Sequence, residues 1–165
     1  MRVDTGTESR PTPDVTVIAA DHPALGRDID DFLDRIQLEP RRFGPSARTN
    51  PKPSPSLIAS LRGRGGFRMA AVIDRGIVGL ARVDGGGELF IVVDPAWRGR
   101  GVGTDLGRAM AHRASDLHYA RVVLRSTRRS RAARRIGEGL GAIVVERGRG
   151  RMEFILDLTP TGRTA

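Results

Sequence analysis

Apolar positions recur along this chain first with a helical period and then with a period of two. Val15–Ala19 is a short apolar run that predicts a first strand. Leu25, Ile29, Phe32, Leu33 and Ile36 follow at i, i+4, i+7, i+8 and i+11, one face of a helix, and Asp28, Asp30, Asp31 and Asp34 mostly face water. Asp21 stands where the N-cap of that helix belongs, with Pro23 in its first turn. Ser54 followed by Pro55 predicts a second helix through Leu57, Ile58 and Leu61, stopped at Gly63. Then the period changes. Phe67–Ile73 and Ile77–Val83 read as strands joined by Asp74-Arg75-Gly76, a hairpin signal, and Gly85–Gly87 turns the chain into a third run, Glu88–Val93. Gly101–Leu117 returns to helical spacing through Val102, Leu106, Ala109, Met110, Arg113 and Leu117. Tyr119–Leu124 predicts a strand, Ser130–Gly139 a short helix, and Ala142–Glu146 with Met152–Leu158 a closing strand pair.

Three consecutive strands joined by tight turns imply an antiparallel stretch, and strand–helix–strand over 88–124 implies one parallel crossover. The expected class is therefore α/β, a mixed, mostly antiparallel sheet of about seven strands with four helices. Residues 14–158 form one domain between a tail over 1–13 and a C-terminal tail over 159–165. Pro40–Pro53, rich in proline and arginine and nearly free of apolar residues, reads as a long irregular loop of the kind that often carries function.

Composition narrows the chemistry. The 165 residues are 39% hydrophobic and 28% charged, the balance of a soluble globular chain. No apolar run approaches the ~18 residues of a membrane helix, and Met1–Asp14 has no apolar core of a secretory signal, so a cytoplasmic protein without a membrane partner is expected. Zero cysteines exclude disulfides, thiolate metal sites and cysteine nucleophiles, and three scattered histidines disfavour a metal site. His112 falls on the polar side of its helix and His118 at the helix end, both read as surface.

Net charge is +9, and every basic residue except Lys52 is arginine. Residues 1–90 hold 13 basic and 12 acidic groups, whereas residues 91–165 hold 15 and 7. Such a basic half suits nucleic acid, an anionic cofactor, or plain solubility. One tyrosine, one tryptophan and no reader motif weaken the nucleic-acid reading.

The most informative stretch is Val93-Asp94-Pro95-Ala96-Trp97-Arg98-Gly99-Arg100-Gly101-Val102-Gly103-Thr104. A buried strand ends, Pro95 stops its ladder, and a glycine-rich turn feeds a helix. Alternate glycines let backbone N–H groups turn inward, the helix start adds unpaired donors, and Arg98 and Arg100 add charged ones, which together suit a pyrophosphate. Thr104 stands where a dinucleotide fingerprint needs its third glycine, and no Gly-Lys-Ser/Thr of a P-loop follows.

Arg98-x-x-Gly101-x-Gly103 resembles the acetyl-CoA-binding signature of the GNAT N-acetyltransferases, Arg/Gln-x-x-Gly-x-Gly/Ala. The preceding Val-Asp-Pro, the helix after it, the later Gly-Leu-Gly-Ala (139–142) and the order of elements over about 14–158 resemble that family as well. Two stretches, Ile36–Phe43 and Leu140–Glu146, are similar to the bacterial protein-lysine acetyltransferase type. The resemblance implies acetyl-CoA as co-substrate, no metal, and an amine acceptor, a protein lysine or a small molecule. It implies a splayed parallel pair of strands, with pantetheine bonded to the backbone of Ile91 and Val93. The pyrophosphate would take N–H groups from Arg98, Gly99, Arg100, Gly101, Val102, Gly103 and Thr104.

The lysine-acetyltransferase type carries a glutamate base ten residues before the Arg/Gln, and Glu88 holds that position. Amine acylation needs such a proton acceptor, and a carboxylate opening an apolar strand suits it. Two positions depart from the family. Gly137 replaces the usual tyrosine acid, and Ser130 replaces a common asparagine among the cofactor contacts. A slow enzyme or an acyl-CoA-binding pseudoenzyme therefore stays open. Tyr119 opens a strand on the wrong side of the cofactor helix and is not a candidate acid. The cluster Arg125, Arg128, Arg129, Arg131, Arg134 and Arg135 either holds the anionic nucleotide or is a solvated face. Arg41, Arg42, Arg48 and Lys52 would border the acceptor and suit an acidic surface.

Overall fold

The computed structural model describes residues 15–38 and 53–159. The expected 1–13 tail, nearly all of the Pro40–Pro53 loop with its basic residues, and the C-terminal tail past Thr159 lie outside them. The elements are β1 (Thr16–Ala19), α1 (Gly26–Leu38), α2 (Pro55–Arg62), β2 (Phe67–Ile73), β3 (Gly76–Val83), β4 (Glu88–Val93), α3 (Val102–Asp116), β5 (Arg121–Thr127), α4 (Arg131–Gly139), β6 (Ile143–Glu146) and β7 (Arg151–Asp157). They form a mixed seven-stranded sheet in the order β1-β2-β3-β4-β5-β7-β6. Only β4 and β5 are parallel, as the single helical crossover demands.

Each face of the sheet is covered. Ile29, Phe32, Leu33 and Ile36 of α1 and Ile58 and Leu61 of α2 bury against Ala70, Ile77, Leu80 and Val92. On the opposite face Val102, Leu106, Met110 and Ala114 of α3 bury against Ala71, Val78, Ala81 and Leu89. The β2–β3 hairpin turns at Asp74 and Arg75, both with positive φ, so Gly76 pairs with Ile73 inside the ladder. The sheet thus separates α1 and α2 from α3.

Three sequence expectations shift. His22, not Asp21, caps the first turn: its Nδ1 accepts from Ala24 N–H at 3.2 Å. The Asp21 carboxylate instead accepts Arg68 N–H at 3.2 Å and so ties the β1–α1 connection to β2. On α3 the buried stripe ends in Ala114, while Arg113 is exposed and Leu117 is 42% exposed. The fifth strand runs Arg121–Thr127 rather than Tyr119–Leu124, because β7 pairs with it up to Thr127↔Arg151. Tyr119 precedes it and packs edge-on against Phe67, with ring centroids 5.8 Å apart.

A buried arginine fixes the α2 end of the molecule. Arg82 is 6% exposed and donates to the carbonyls of Ser60 (2.8 Å), Arg64 (2.6 Å) and Gly65 (2.9 Å). These lie at and just past the C-terminal end of α2, where the helix dipole favours a cation. The neighbouring Gly66 has φ +70, and a Cβ there would sit 1.8 Å from the Val83 carbonyl oxygen. Gly66→Ala is therefore expected to lose about 2–4 kcal/mol by denaturant unfolding. Gly85→Ala, with nothing within 4 Å of its Cβ, should stay within about 0.5 kcal/mol of the parent. Equal losses in the two variants would contradict this packing.

Candidate cofactor and acyl-transfer site

β4 and β5 begin side by side and then part. Their ladder holds only Glu88↔Val123 and Leu89↔Leu124, while β5 keeps seven pairs with β7. Strand parity decides which atoms this leaves open. Gly87 C=O accepts Val123 N–H (2.9 Å), and Asp94 N–H donates to Val78 C=O (2.8 Å). Leu89, Ile91 and Val93 therefore turn their backbone groups toward β5, and Glu88, Phe90 and Val92 turn theirs toward β3. Beyond Leu89, Ile91 and Val93 face the gap.

That gap is a cleft of about 520 Å³. Glu88, Phe90 and Ile91 line it from β4, Leu124 and Arg125 from β5, Ser130 and Ile136 from the α4 region, and Ser54, Ser56 and Ser60 from the α2 side. Ser130 Oγ accepts Ala133 N–H at 3.2 Å and caps α4, and its hydroxyl hydrogen remains a donor.

Asp94 organises the exit from β4. It is 3% exposed; Oδ1 accepts Ala96 N–H at 2.9 Å and Oδ2 pairs with Arg35 of α1. Arg35 also donates to Ile77 C=O at 3.1 Å. The chain then passes through a short 3-10 turn, Pro95–Trp97, and through Gly99 (φ +71) and Gly101 (φ +83) into α3. The first α3 bond is Asp105 N–H to Gly101 C=O at 2.9 Å, so Val102, Gly103 and Thr104 have no acceptor within the helix for their N–H groups. Ideal Cβ atoms at Gly99 or Gly101 would meet nothing within 4 Å. Protein atoms do not fill the space beside these two glycines, and the positive φ favours glycine at both positions.

Two signature residues also make contacts that the sequence does not show. Gly103 is helical, and its Cβ would press on Ile136 Cδ1 at 3.1 Å. Its smallness, like that of Gly107 against Leu140 at 3.3 Å, brings α3 and α4 together. Arg98 folds back: its Nε donates to Val93 C=O at 3.2 Å. Burial pushes its guanidinium below its ordinary pKa, partly offset by Asp94. Arg100 is exposed and lies over the Trp97 ring at 4.8 Å.

Glu88 stands at the closed end of the cleft. Its carboxylate pairs with Arg125, and Arg125 Nε donates to Glu153 Oε1 at 3.1 Å. Arg147 Nε donates to Glu153 Oε2 at 2.7 Å. Sequence reasoning grouped Arg125 with the other arginines of its stretch, because no local spacing shows that β7 sets Glu153 opposite it. The cluster in fact divides. Arg125 and Arg128 are in ion pairs, whereas Arg129, Arg131, Arg134 and Arg135 are exposed and form no ion pair among the described residues. His112 and His118 are exposed, as expected.

Gly137 has a physical reason. A Cβ there would lie 2.2 Å from Phe154 Cδ1, so the Phe154 ring fills the space a side chain at 137 would need. Among the described residues no helix is long and apolar enough to cross a membrane, and no cluster of three or more histidines or carboxylates could hold a metal.

The hydrogen bonds from Arg147 and Arg125 hold the Glu153 carboxyl below its usual range. A depressed carboxyl adds stability above its unfolded pKa, about 4.3, and loses it as pH falls through the lower folded value. The melting temperature of Glu153→Gln should therefore fall below the parent's near neutral pH, with the gap closing in acid. A gap independent of pH would contradict the ion pairs.

The acetyltransferase (GNAT) family model matches residues 32–141. No curated protein matches the sequence. Among solved structures, the fold is similar to yncA from Salmonella typhimurium with its cofactor acetyl-CoA, at TM-score 0.59 and 19% identity, covering 92% of this chain and 98% of that one. The ribosomal-protein-S18-alanine N-acetyltransferase from Escherichia coli gives 0.62 at 19% identity, covering 92% and 99%. The GNAT domain of S. lividans PAT gives 0.64 at 17% identity, covering 87% and 90%.

Proposed function

Because the chain belongs to the acetyltransferase (GNAT) family, we propose that acetyl-CoA occupies the β4–β5 cleft and that a protein lysine is the acceptor, with Glu88 as base. One observation carries the reading: the strands part after two residue pairs, leaving the backbone of Ile91 and Val93 turned toward the gap, and the chain runs on from β4 into a helix start without a side-chain cap. When bound, acetyl-CoA supplies the thioester carbonyl that an amine attacks. The N–H groups of Val102, Gly103 and Thr104, with the positive end of α3, would hold its pyrophosphate, and the turn Arg98 to Gly101 would shape the approach. Ile91 N–H and C=O and Val93 N–H would bond the pantetheine amides; Val93 C=O already has Arg98. Ser130 would add its hydroxyl from the α4 side.

An amine at neutral pH is largely protonated and must lose a proton before it can attack. Glu88 lines the cleft with its side chain 28% exposed, which suits direct proton acceptance from the acceptor. Gly137 offers no proton donor. The similarity of Ile36–Phe43 and Leu140–Glu146 to protein-lysine acetyltransferases supports the lysine acceptor; a small-molecule amine is the other member of the class. A second reading, an acyl-CoA-binding protein without turnover, is favoured only by the Phe154 ring standing where a side chain at 137 would go.

Thiol release from acetyl-CoA, measured against candidate proteins and small amines, tests the function. Glu88→Gln should lower turnover by roughly 10²–10⁴-fold with little change in acetyl-CoA affinity. Equal activity of Glu88→Gln and parent would remove Glu88 from the mechanism. Gly101→Ala has room inside the protein, so only modest strain is expected from its φ. It should nonetheless weaken acetyl-CoA binding by at least about tenfold, read as a smaller thermal shift. An unchanged shift would remove the turn from the binding site.

A further inference from the structure

Four charges alternate in sign across the closed end of the cleft: Glu88 on β4, Arg125 on β5, Glu153 on β7, and Arg147 before β7. Arg125 is the shared member. Its Nε is spent on Glu153 and its Nη1 on Glu88, while Nη2, with two N–H donors, bonds nothing among the described residues. Arg147 and Glu153 satisfy each other whatever happens in the cleft. Among the described residues Glu88 has one charged partner, and both it and the 54%-exposed Arg125 side chain line the cleft.

A cleft wall that presents a carboxylate and a guanidinium side by side matches a ligand with an ammonium and a carboxylate side by side. A simple amine that drew Glu88 to itself would strip Arg125 of one partner. An amine with a carboxylate a few bonds away replaces both partners at once: its ammonium meets Glu88, and its carboxylate meets the Nη1–Nη2 edge of Arg125 in a two-point hydrogen bond. The exposed internal pair is weak enough to be exchanged. Glu153 meanwhile holds the guanidinium through Nε, so the fork stays aimed during the exchange.

We infer that Arg125 is a specificity-determining residue that binds a carboxylate lying close to the acceptor amine. The inference rests on the reading of this cleft as an amine-acetylation site with Glu88 at its acceptor end. Two sources share the chemistry, a free amino acid and a lysine beside an acidic residue in a protein.

Thiol release with acetyl-CoA on matched acceptors tests it. One pair is a free amino acid and its carboxamide; the other is a lysine peptide flanked by Glu and the same peptide flanked by Gln. The parent protein should prefer the carboxylate member of at least one pair by about 10- to 100-fold in kcat/KM, the pair that responds naming the source. Arg125→Gln should bring that ratio close to one, and Arg125→Lys should retain part of it. A binding arm is independent of turnover: the CoA-loaded protein, which has no acetyl group to transfer, is titrated with the members of both pairs. The same carboxylate preference, lost in Arg125→Gln, is expected there. A ratio near one in the parent for both pairs, or an unchanged ratio in Arg125→Gln, overturns the role of Arg125 and leaves acetyl transfer standing. Turnover on no amine, with the carboxylate preference intact in the titration, overturns acetyl transfer and leaves Arg125 as a carboxylate site.

Discussion

Two residue pairs are all that join β4 to β5, and most of this molecule is arranged around their parting. A strand in the middle of a sheet that loses its neighbour exposes backbone groups that cost free energy unless something satisfies them. The protein closes part of the gap itself. β5 transfers its pairing to β7, and Arg98 takes the Val93 carbonyl. α4 enters the space beside α3, against Gly103 and Gly107, close enough that Gly139 would touch Thr104 with any Cβ. What stays open is the Ile91 edge and the first N–H groups of α3. A long, amide-bearing, phosphorylated ligand would need donors and acceptors of both kinds.

The walls of the opening are held by charges removed from water. Asp94, at the end of β4, draws Arg35 from α1 on one side and caps the turn toward α3 on the other. Arg82 lies opposite Phe90, a cleft residue, and pins the end of α2 through three carbonyls. Taking away one partner of such an arrangement leaves a buried charge uncompensated, which costs more than the pair itself contributes. α1 is thus tied to the end of β4, and α2 to β3 beside it.

The strands and helices were largely legible because they are local: a period, a cap, a proline or a glycine is visible in a few residues. Ser54 caps the helix it was expected to cap. The readings that moved were those decided at long range. Arg125-Ser126-Thr127 has no apolar alternation, and only the ladder with β7 makes it strand. Asp21 reads as a cap until β2 brings Arg68 N–H to it. Gly137 looks like a lost acid, but the residue that requires glycine there, Phe154, is seventeen positions further along the chain. The glycine signature itself was visible, but its three glycines serve two purposes. Gly99 and Gly101 bend the backbone, whereas Gly103 makes room for a helix.

Composition posed a choice between a polyanion-binding surface and a mere excess of arginine, and the structure changes the terms of that choice. What matters is the shape of the guanidinium fork, not the total charge. Arg35 bridges Asp94 and the Ile77 carbonyl, Arg82 spans three carbonyls, and Arg125 joins Glu88 to Glu153. In each case one side chain with several fixed donors links two or more elements, which a lysine ammonium on a flexible stem does poorly. Each of the three meets carboxylates or carbonyls on more than one element. Four arginines that form no ion pair among the described residues, Arg129, Arg131, Arg134 and Arg135, sit at α4, whose residues line the cleft that the parted strands create.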